Sequence, residues 1–119
     1  METKDALNGI TTWRERIHAE DMWGDPNRLS ETMARLATYN AYLTDKIALL
    51  HKTASETEIL AFKRMRDNGA TAKDAELGAK QEALEARYEY ENIKLVAKAT
   101  ESLISVLQSR LKILGRNDV

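Results

Sequence analysis

Apolar residues recur every three or four positions along most of the chain, which predicts α-helices rather than strands. Two long helices are expected, from about Pro26 to Asp67 and from Thr71 to about Leu114. In the first, the apolar positions alternate in steps of four and three: Leu29, Met33, Leu36, Asn40, Leu43, Ile47, Leu50, Ala54, Thr57 and Ala61. In the second, the same alternation gives Ala79, Ala83, Ala86, Tyr90, Ile93, Ala97, Thr100, Ile104, Leu107, Leu111 and Leu114. Such heptad spacing is typical of helices that pack with a left-handed supercoil.

The segment between the two long helices carries strong turn signals. Asn68 or Gly69 can adopt the left-handed conformation that ends a helix. Thr71 can cap the following helix, with Asp74 at the third helical position. We therefore expect a tight turn that places the two long helices side by side as an antiparallel hairpin.

A short helix is predicted near the N-terminus. Thr12 and Glu15 fit the capping-box pattern, in which the two side chains satisfy each other's free backbone N–H groups. This helix is expected to run from Thr12 to about Asp21. After a break, Asp25 is placed to cap the first long helix, and Pro26 suits its first position because the missing N–H costs nothing there.

Three residues inside or after the long helices interrupt the apolar pattern. Asn40 occupies a contact position, where a polar side chain lowers stability but can fix register and copy number if it meets a facing partner. Gly78 costs about 1 kcal/mol relative to alanine in a helix interior, so it indicates either a bend or a tight contact. Gly115 is expected to stop the last helix after Leu114.

The chain is small, at 13.5 kDa, so a single helical domain over 1–119 is expected. Its parts are an N-terminal helix and turn (1–24), a long helix (25–67) and a long C-terminal helix (71–114). Each long helix would extend about 60 Å, and a lone hairpin of that length leaves apolar flanks in water. We therefore predict an all-α hairpin subunit that completes its core in a homo-oligomeric bundle or ring.

Composition narrows the classes of protein to consider. Basic and acidic residues number 18 and 19, for a net charge of −1, which argues against a strongly basic nucleic-acid-binding domain. Cysteine is absent, so no disulfide framework is expected. The N-terminal residues lack the apolar core of a secretory signal, and no apolar run approaches the roughly 18 residues of a membrane span. We expect a soluble protein of the cytoplasm that does not enter membranes.

No catalytic or metal-binding constellation can be assembled from the sequence. His18 and His51 lie in different elements without ligand-like spacing, so a structural or solvent-facing role is favoured for both. Carboxylates such as Glu82, Glu85 and Glu89 follow helical spacing on a polar face, as salt-bridged surfaces do. No glycine-rich phosphate loop or nucleophile elbow is present. We therefore expect no enzymatic activity and no cofactor.

The densest basic cluster, at 62–66, directly precedes the predicted turn. Lysine and arginine neutralise phosphates and release counterions, and an aromatic ring offers any base a stacking surface, which suits single-stranded nucleic acid. The candidate DNA-binding residues are Lys63, Arg64, Arg66, Phe62, Lys52 and Lys73. The alternative is a solvated helix end, because cations near a helix C-terminus oppose its dipole favourably.

The order of features resembles the UvsY-type bacteriophage recombination mediator family. The resemblance covers roughly Glu20 to Leu114 and begins with the acidic, proline-marked turn at 20–29. A long helix follows that carries Leu36, Tyr39, Leu43, Lys46, Leu49 and Leu50. That helix ends in the basic cluster before a turn, and the last helix finishes with the apolar and basic segment at 103–114.

The resemblance implies a helical protein that assembles into a ring-like oligomer, heptameric in the family's type member. It implies binding of single-stranded DNA, remodelling of the single-strand-binding protein, and loading of a RecA-like recombinase in the bacterial host cell of a phage. The DNA-contacting lysine and arginine of the family match Lys63 and either Arg64 or Arg66. The oligomerisation residues implied here are Leu103, Ile104, Leu107, Leu111 and Leu114.

A second hypothesis of another class fits the heptad spacing and the near-neutral charge equally well. It is a non-enzymatic coiled-coil adaptor or structural protein that oligomerises and binds protein partners without DNA. Binding to a single-stranded oligonucleotide distinguishes the two hypotheses.

Overall fold

The computed structural model describes residues 1–117, and these form three helices and no strand. Helix α1 spans Thr3–Ala19, α2 spans Pro26–Asp67 and α3 spans Ala72–Asn117. The predicted all-α class is confirmed. Each heptad contact position predicted for the two long helices is buried or half-buried. None of the three helices has, within the described residues, a stretch long and apolar enough to cross a membrane.

The prediction for α1 was wrong in its start and its cap. The helix begins at Thr3, because apolar side chains at Ala6, Ile10 and Ile17 continue one stripe through the segment that Thr12 was expected to cap. Its first turn is closed by Asp5, whose carboxylate accepts the backbone N–H of Glu2 at 2.9 Å.

The start of α2 confirms the predicted cap at Asp25. The end of α3 shows that the predicted stop at Gly115 was wrong. Asp25 accepts the backbone N–H groups of Asn27 and Arg28 at 3.1 and 3.3 Å, and Pro26 takes the first helical position. At the other end, α3 passes through Gly115 to Asn117. Gly69 is the only glycine in residues 1–117 with a positive φ, so Gly115 remains helical instead of forming a left-handed stop.

The chain divides into two compact units, Met1–Thr44 with Leu95–Val119 and Asp45–Lys94. The core of the first unit contains large side chains from all three helices and from the connection between α1 and α2. Its fully buried large apolar residues are Ile10, Met22, Leu29, Leu36, Leu43 and Leu107. Arg110 links α3 to that connection by donating from Nε to the backbone oxygen of Trp23 at 2.6 Å.

Within the first unit, Asn40 lies at a predicted contact position with an unsatisfied group. Its Oδ1 is buried and has no hydrogen-bond partner among the described residues. A buried carbonyl without a donor costs roughly 1–3 kcal/mol. The facing partner that would let Asn40 fix the register is therefore absent from the described part of this chain.

Replacing Asn40 with leucine should raise the free energy of unfolding by about 1 kcal/mol, because it removes the unsatisfied oxygen while keeping a similar side-chain size. Asn92→Leu is the matched control, since Asn92 is exposed on α3 and gains only helix propensity. Denaturant unfolding of both variants measures the difference. Equal gains in the two variants would mean that the Asn40 oxygen is satisfied in solution.

The second unit has the opposite distribution of side-chain size. Its buried side chains are small, namely Ala54, Ala61, Ala75, Ala79 and Ala83, with Ile93 as the one large exception among the described residues. Ala79 and Ala83, at predicted heptad positions of α3, are therefore buried as expected. Its exposed large apolar side chains are Leu49, Ile59, Leu60, Phe62, Leu77, Leu84 and Tyr88. Small residues inside allow close backbone approach, and the larger ones are left outside.

Candidate nucleic-acid interface

The turn between α2 and α3 ends α2 by a Schellman motif. Gly69 has φ +94°, in the left-handed region where a side chain would be strained. The N–H of Ala70 donates to the carbonyl of Met65, and the N–H of Gly69 donates to that of Arg66, both at 3.0 Å. Of the two residues predicted for this conformation, Asn68 and Gly69, the glycine adopts it. The turn therefore fixes where the basic end of α2 stops.

The start of α3 is capped as predicted. The hydroxyl of Thr71 accepts the N–H of Asp74 at 3.2 Å, and the N–H of Ala75 donates to the Thr71 carbonyl at 2.9 Å. Lys73 lies in the first turn of α3 and is exposed. The cap therefore holds Lys73 close in sequence and space to the end of α2.

Helical geometry spreads the cations of the cluster around α2. Ala61 is buried and Met65 half-buried, so they mark the inner face. With about 100° between successive residues, Lys63 lies on the side opposite to that face. Arg64 and Arg66 lie on the two flanks, on either side of Lys63. One ligand strand therefore cannot meet all three cations along a single straight path.

Several predicted DNA-binding residues already have partners within the chain. Arg64 forms an ion pair with Glu82 of α3. Lys52 pairs with Glu56 at 3.8 Å, one turn along α2. Arg66 donates from Nη1 to the carbonyl of Ala70 at 3.1 Å, and because that acceptor is neutral, Arg66 keeps its full charge.

Lys63 and Lys73 are the predicted residues left available. Both are exposed, and neither forms an ion pair with a carboxylate within residues 1–117. From 62 to 74 the chain carries four basic residues and two acidic ones, so the turn is locally positive although the whole chain is not. This local excess is the feature most suited to an anionic ligand.

Phe62 belongs to an apolar part of the surface. The residue is 38% exposed and lines a shallow apolar depression with Ile59 and Ala79. Glu58 and Glu76 border the same depression. Glu58 pairs with Arg87 and Glu76 pairs with Lys80, so ion pairs rather than free cations border the ring of Phe62. These surroundings suit a phosphate-bearing strand less well than the sequence suggested.

The five predicted oligomerisation residues share one side of α3, and one of them is fully buried. Leu107 is 0% exposed and belongs to the core of its own unit, so it has no surface to offer another subunit. The other four are half-buried: Leu103, Ile104, Leu111 and Leu114. Four of the five occupy predicted heptad positions and Leu103 lies beside them, but the heptad pattern does not distinguish a position buried by its own chain from one that another subunit could cover.

Three ring contacts involve residues outside the candidate DNA-binding set. The guanidinium of Arg16 lies 4.3 Å from the centre of the Trp13 ring, and that of Arg35 lies 5.8 Å from it, so the half-buried ring is covered by cations. His51 packs against Tyr90 with ring centres 5.1 Å apart. Among residues 1–117, no group of three or more histidine or carboxylate side chains could hold a metal ion.

The predictions missed one set of exposed side chains, on the outer side of α3. Leu77, Leu84 and Tyr88 are exposed by 56%, 63% and 77%. Their spacing of seven and four residues is itself a heptad signal, but the inner stripe of the same helix obscured it. The second stripe could therefore have been found from sequence by testing α3 for two apolar faces.

No protein-family model, curated protein or solved structure matches this chain. The resemblance to the UvsY-type mediators therefore remains a prediction.

Proposed function

We propose that this protein binds single-stranded DNA as a homo-oligomer of helical hairpins and mediates the loading of a RecA-like recombinase. In this role it would act on DNA covered by a single-strand-binding protein, in the cytoplasm of a bacterial host cell if a phage encodes it. It would need no cofactor and catalyse no reaction, because the recombinase supplies the chemistry of strand exchange.

The observation that carries the proposal is the pair of exposed, unpaired lysines at the α2–α3 turn. Lys63 and Lys73 have no carboxylate partner within residues 1–117, and Arg66 nearby keeps its charge. Free ammonium groups release counterions when they meet phosphates, which gives affinity without base recognition. Arg64 becomes a weaker candidate because Glu82 already neutralises it.

A single turn offers few phosphate contacts, so assembly matters for affinity. When several copies present the same lysines to one strand, later contacts become intramolecular and the effective concentration of each site rises. An oligomer of any number, the family's heptamer included, would supply this repetition. Because the chain as a whole is nearly neutral, DNA would bind only where the basic turns of several subunits lie close together.

Replacing both Lys63 and Lys73 with alanine should weaken binding to a fluorescent oligo-dT by about tenfold or more at low salt. The slope of log affinity against log salt should also fall, by about 1.4 for each subunit in contact, because each phosphate contact on a single strand contributes about 0.7. Fluorescence anisotropy at several salt concentrations measures both quantities.

The matched control removes two lysines elsewhere. Lys4→Ala with Lys112→Ala deletes the same charge from exposed positions away from the turn in sequence. This variant should keep the salt slope of the unmodified protein. If the two double variants bind equally, the turn is not the site, and if the unmodified protein does not bind oligo-dT, the proposed DNA-binding function is wrong.

The mediator role needs its own measurement. A RecA-like recombinase hydrolyses ATP on single-stranded DNA only after it has displaced the single-strand-binding protein, so that a lag precedes hydrolysis. We expect the unmodified protein to shorten this lag, and the Lys63→Ala, Lys73→Ala variant to leave it long. A protein that binds oligo-dT yet never shortens the lag would be a DNA-binding protein without the mediator role.

The coiled-coil adaptor remains a second candidate because of the exposed apolar residues on α3. Leu77, Leu84 and Tyr88 point away from the small inner residues of the second unit, as expected of a surface that binds another helix. In this case the protein would oligomerise and bind protein partners, and oligo-dT would show no salt-sensitive signal.

A further inference from the structure

The outer face of α3 in the second unit carries an apolar stripe with a charged border on each side. Leu77, Leu84 and Tyr88 lie within about 40° of one another around the helix axis. The inner alanines, such as Ala79 and Ala83, lie on nearly the opposite side. A helix with two apolar faces is built to contact two neighbours, and the second unit supplies a contact for only the inner one.

The two borders of this outer stripe have opposite charge. On one side, basic residues recur every seven positions: Lys73, Lys80, Arg87 and Lys94. On the other side lie Glu82, Glu85 and Glu89. If Leu77 and Leu84 take the d positions of the heptad and Tyr88 takes an a position, Lys80 and Arg87 occupy g positions. Glu85 then occupies an e position. These are the positions whose charges select partner and orientation in coiled coils.

This asymmetry distinguishes the two ways in which a second copy can pack on the stripe. In a parallel pair the basic border of each helix meets the acidic border of the other, with Lys80 opposite Glu85 of the second copy. In an antiparallel pair the basic borders meet each other and repel. We propose that α3 pairs through this stripe with α3 of a second copy of the chain, in parallel and in register.

Two of the border residues are already held by α2, since Arg87 pairs with Glu58 and Glu82 pairs with Arg64. The pairing between copies therefore depends on Lys80 and Glu85, whose existing contacts permit it. Lys80 is bound only to Glu76, one turn away on the same helix, at 3.2 Å, and both side chains are about 60% exposed. Such exposed pairs contribute little, so Lys80 can exchange its partner readily. Glu85 is exposed and forms no ion pair within residues 1–117.

Parallel pairing has a consequence for the basic turn. Because α3 begins at the turn, two parallel copies place both turns at the same end of the pair, and Lys63 and Lys73 are present there twice. The pairing does not depend on DNA binding, so the two proposals can fail separately.

The chain contains no cysteine, so a single introduced thiol reports the orientation. Gln81→Cys places the thiol on the outer stripe between Leu77 and Leu84, where a parallel in-register pair brings identical residues together. We expect this variant to form a covalent dimer under mild oxidation. Glu89→Cys lies on the acidic border, about 120° around the helix axis from Leu77, so identical residues do not meet there and this variant should remain largely uncrosslinked.

Two further variants test the stripe and its borders by light scattering over a range of concentrations. Leu77→Gln with Leu84→Gln should raise the dissociation constant of the pair at least tenfold, whereas Leu60→Gln, at an exposed leucine of α2, should not. Lys80→Glu should weaken the pair, and adding Glu85→Lys should restore it, because the exchange recreates the opposite charges.

Three results would overturn the proposal. They are an unmodified chain that stays monomeric, equal crosslinking at positions 81 and 89, or an assembly whose mass is unchanged by the paired leucine substitutions. The last result would leave self-association intact and assign it to another surface. Loss of oligo-dT binding alone has no bearing on this pairing.

Discussion

Leu107→Ala is expected to lower the free energy of unfolding by about 3 kcal/mol. The side chain is 0% exposed, and truncating a buried leucine removes transfer free energy and leaves a cavity, at a typical cost of 2–5 kcal/mol. Because Leu107 is buried by its own chain, the loss should be the same at every protein concentration. Denaturant unfolding, followed by circular dichroism at two concentrations tenfold apart, measures it.

Val106, the residue directly before Leu107, provides the matched control. It is 52% exposed, so Val106→Ala should change the free energy of unfolding by no more than about 0.5 kcal/mol. If the cost of Leu107→Ala instead grows with protein concentration, Leu107 stabilises an assembly, as the family resemblance implied. If the two substitutions cost the same, Leu107 is not part of the core.

The inner faces of the long helices were predictable because heptad spacing depends only on residue type and helical period. From Leu29 to Ala61 and from Ala79 to Leu114, each predicted contact position is buried or half-buried. The turn was predictable for a similar reason, since a positive φ favours glycine and Thr71 is a strong cap. These features depend on local chemistry.

Features that depend on distant partners could not be predicted in this way. The pairing of Arg64 with Glu82 offsets part of the positive charge that the linear cluster seemed to offer. Gly115 was expected to stop α3 because glycine often ends helices, but nothing in the local sequence determines its φ. The early start of α1 was missed because the capping-box pattern of Thr12 and Glu15 indicated a later start, whereas the helix begins at Thr3 and packs against α2 at Gly9.

The packing of α1 on α2 also predicts that a substitution at Gly9 has a large effect on the free energy of unfolding. The end of the Tyr39 ring lies over Gly9, so closely that a Cβ on residue 9 would overlap three ring carbons. Gly9→Val should lower the free energy of unfolding by about 2 kcal/mol, because the half-buried ring must leave its site and the overpacking cost exceeds the gain in helix propensity. Thermal and denaturant unfolding measure the loss.

A double-mutant cycle assigns this cost to the ring. A Tyr39→Ala background lacks the three ring carbons nearest to the added Cβ, so Gly9→Val should cost less than about 0.5 kcal/mol there. Gly115→Val is the control for propensity, since Gly115 is helical and, apart from its own stretch of helix, no atom of the described residues lies within 4 Å of its would-be Cβ. A cost at Gly9 that persists after removal of the Tyr39 ring would show that α1 does not pack on α2 through this contact, and the early start of α1 would then need another cause.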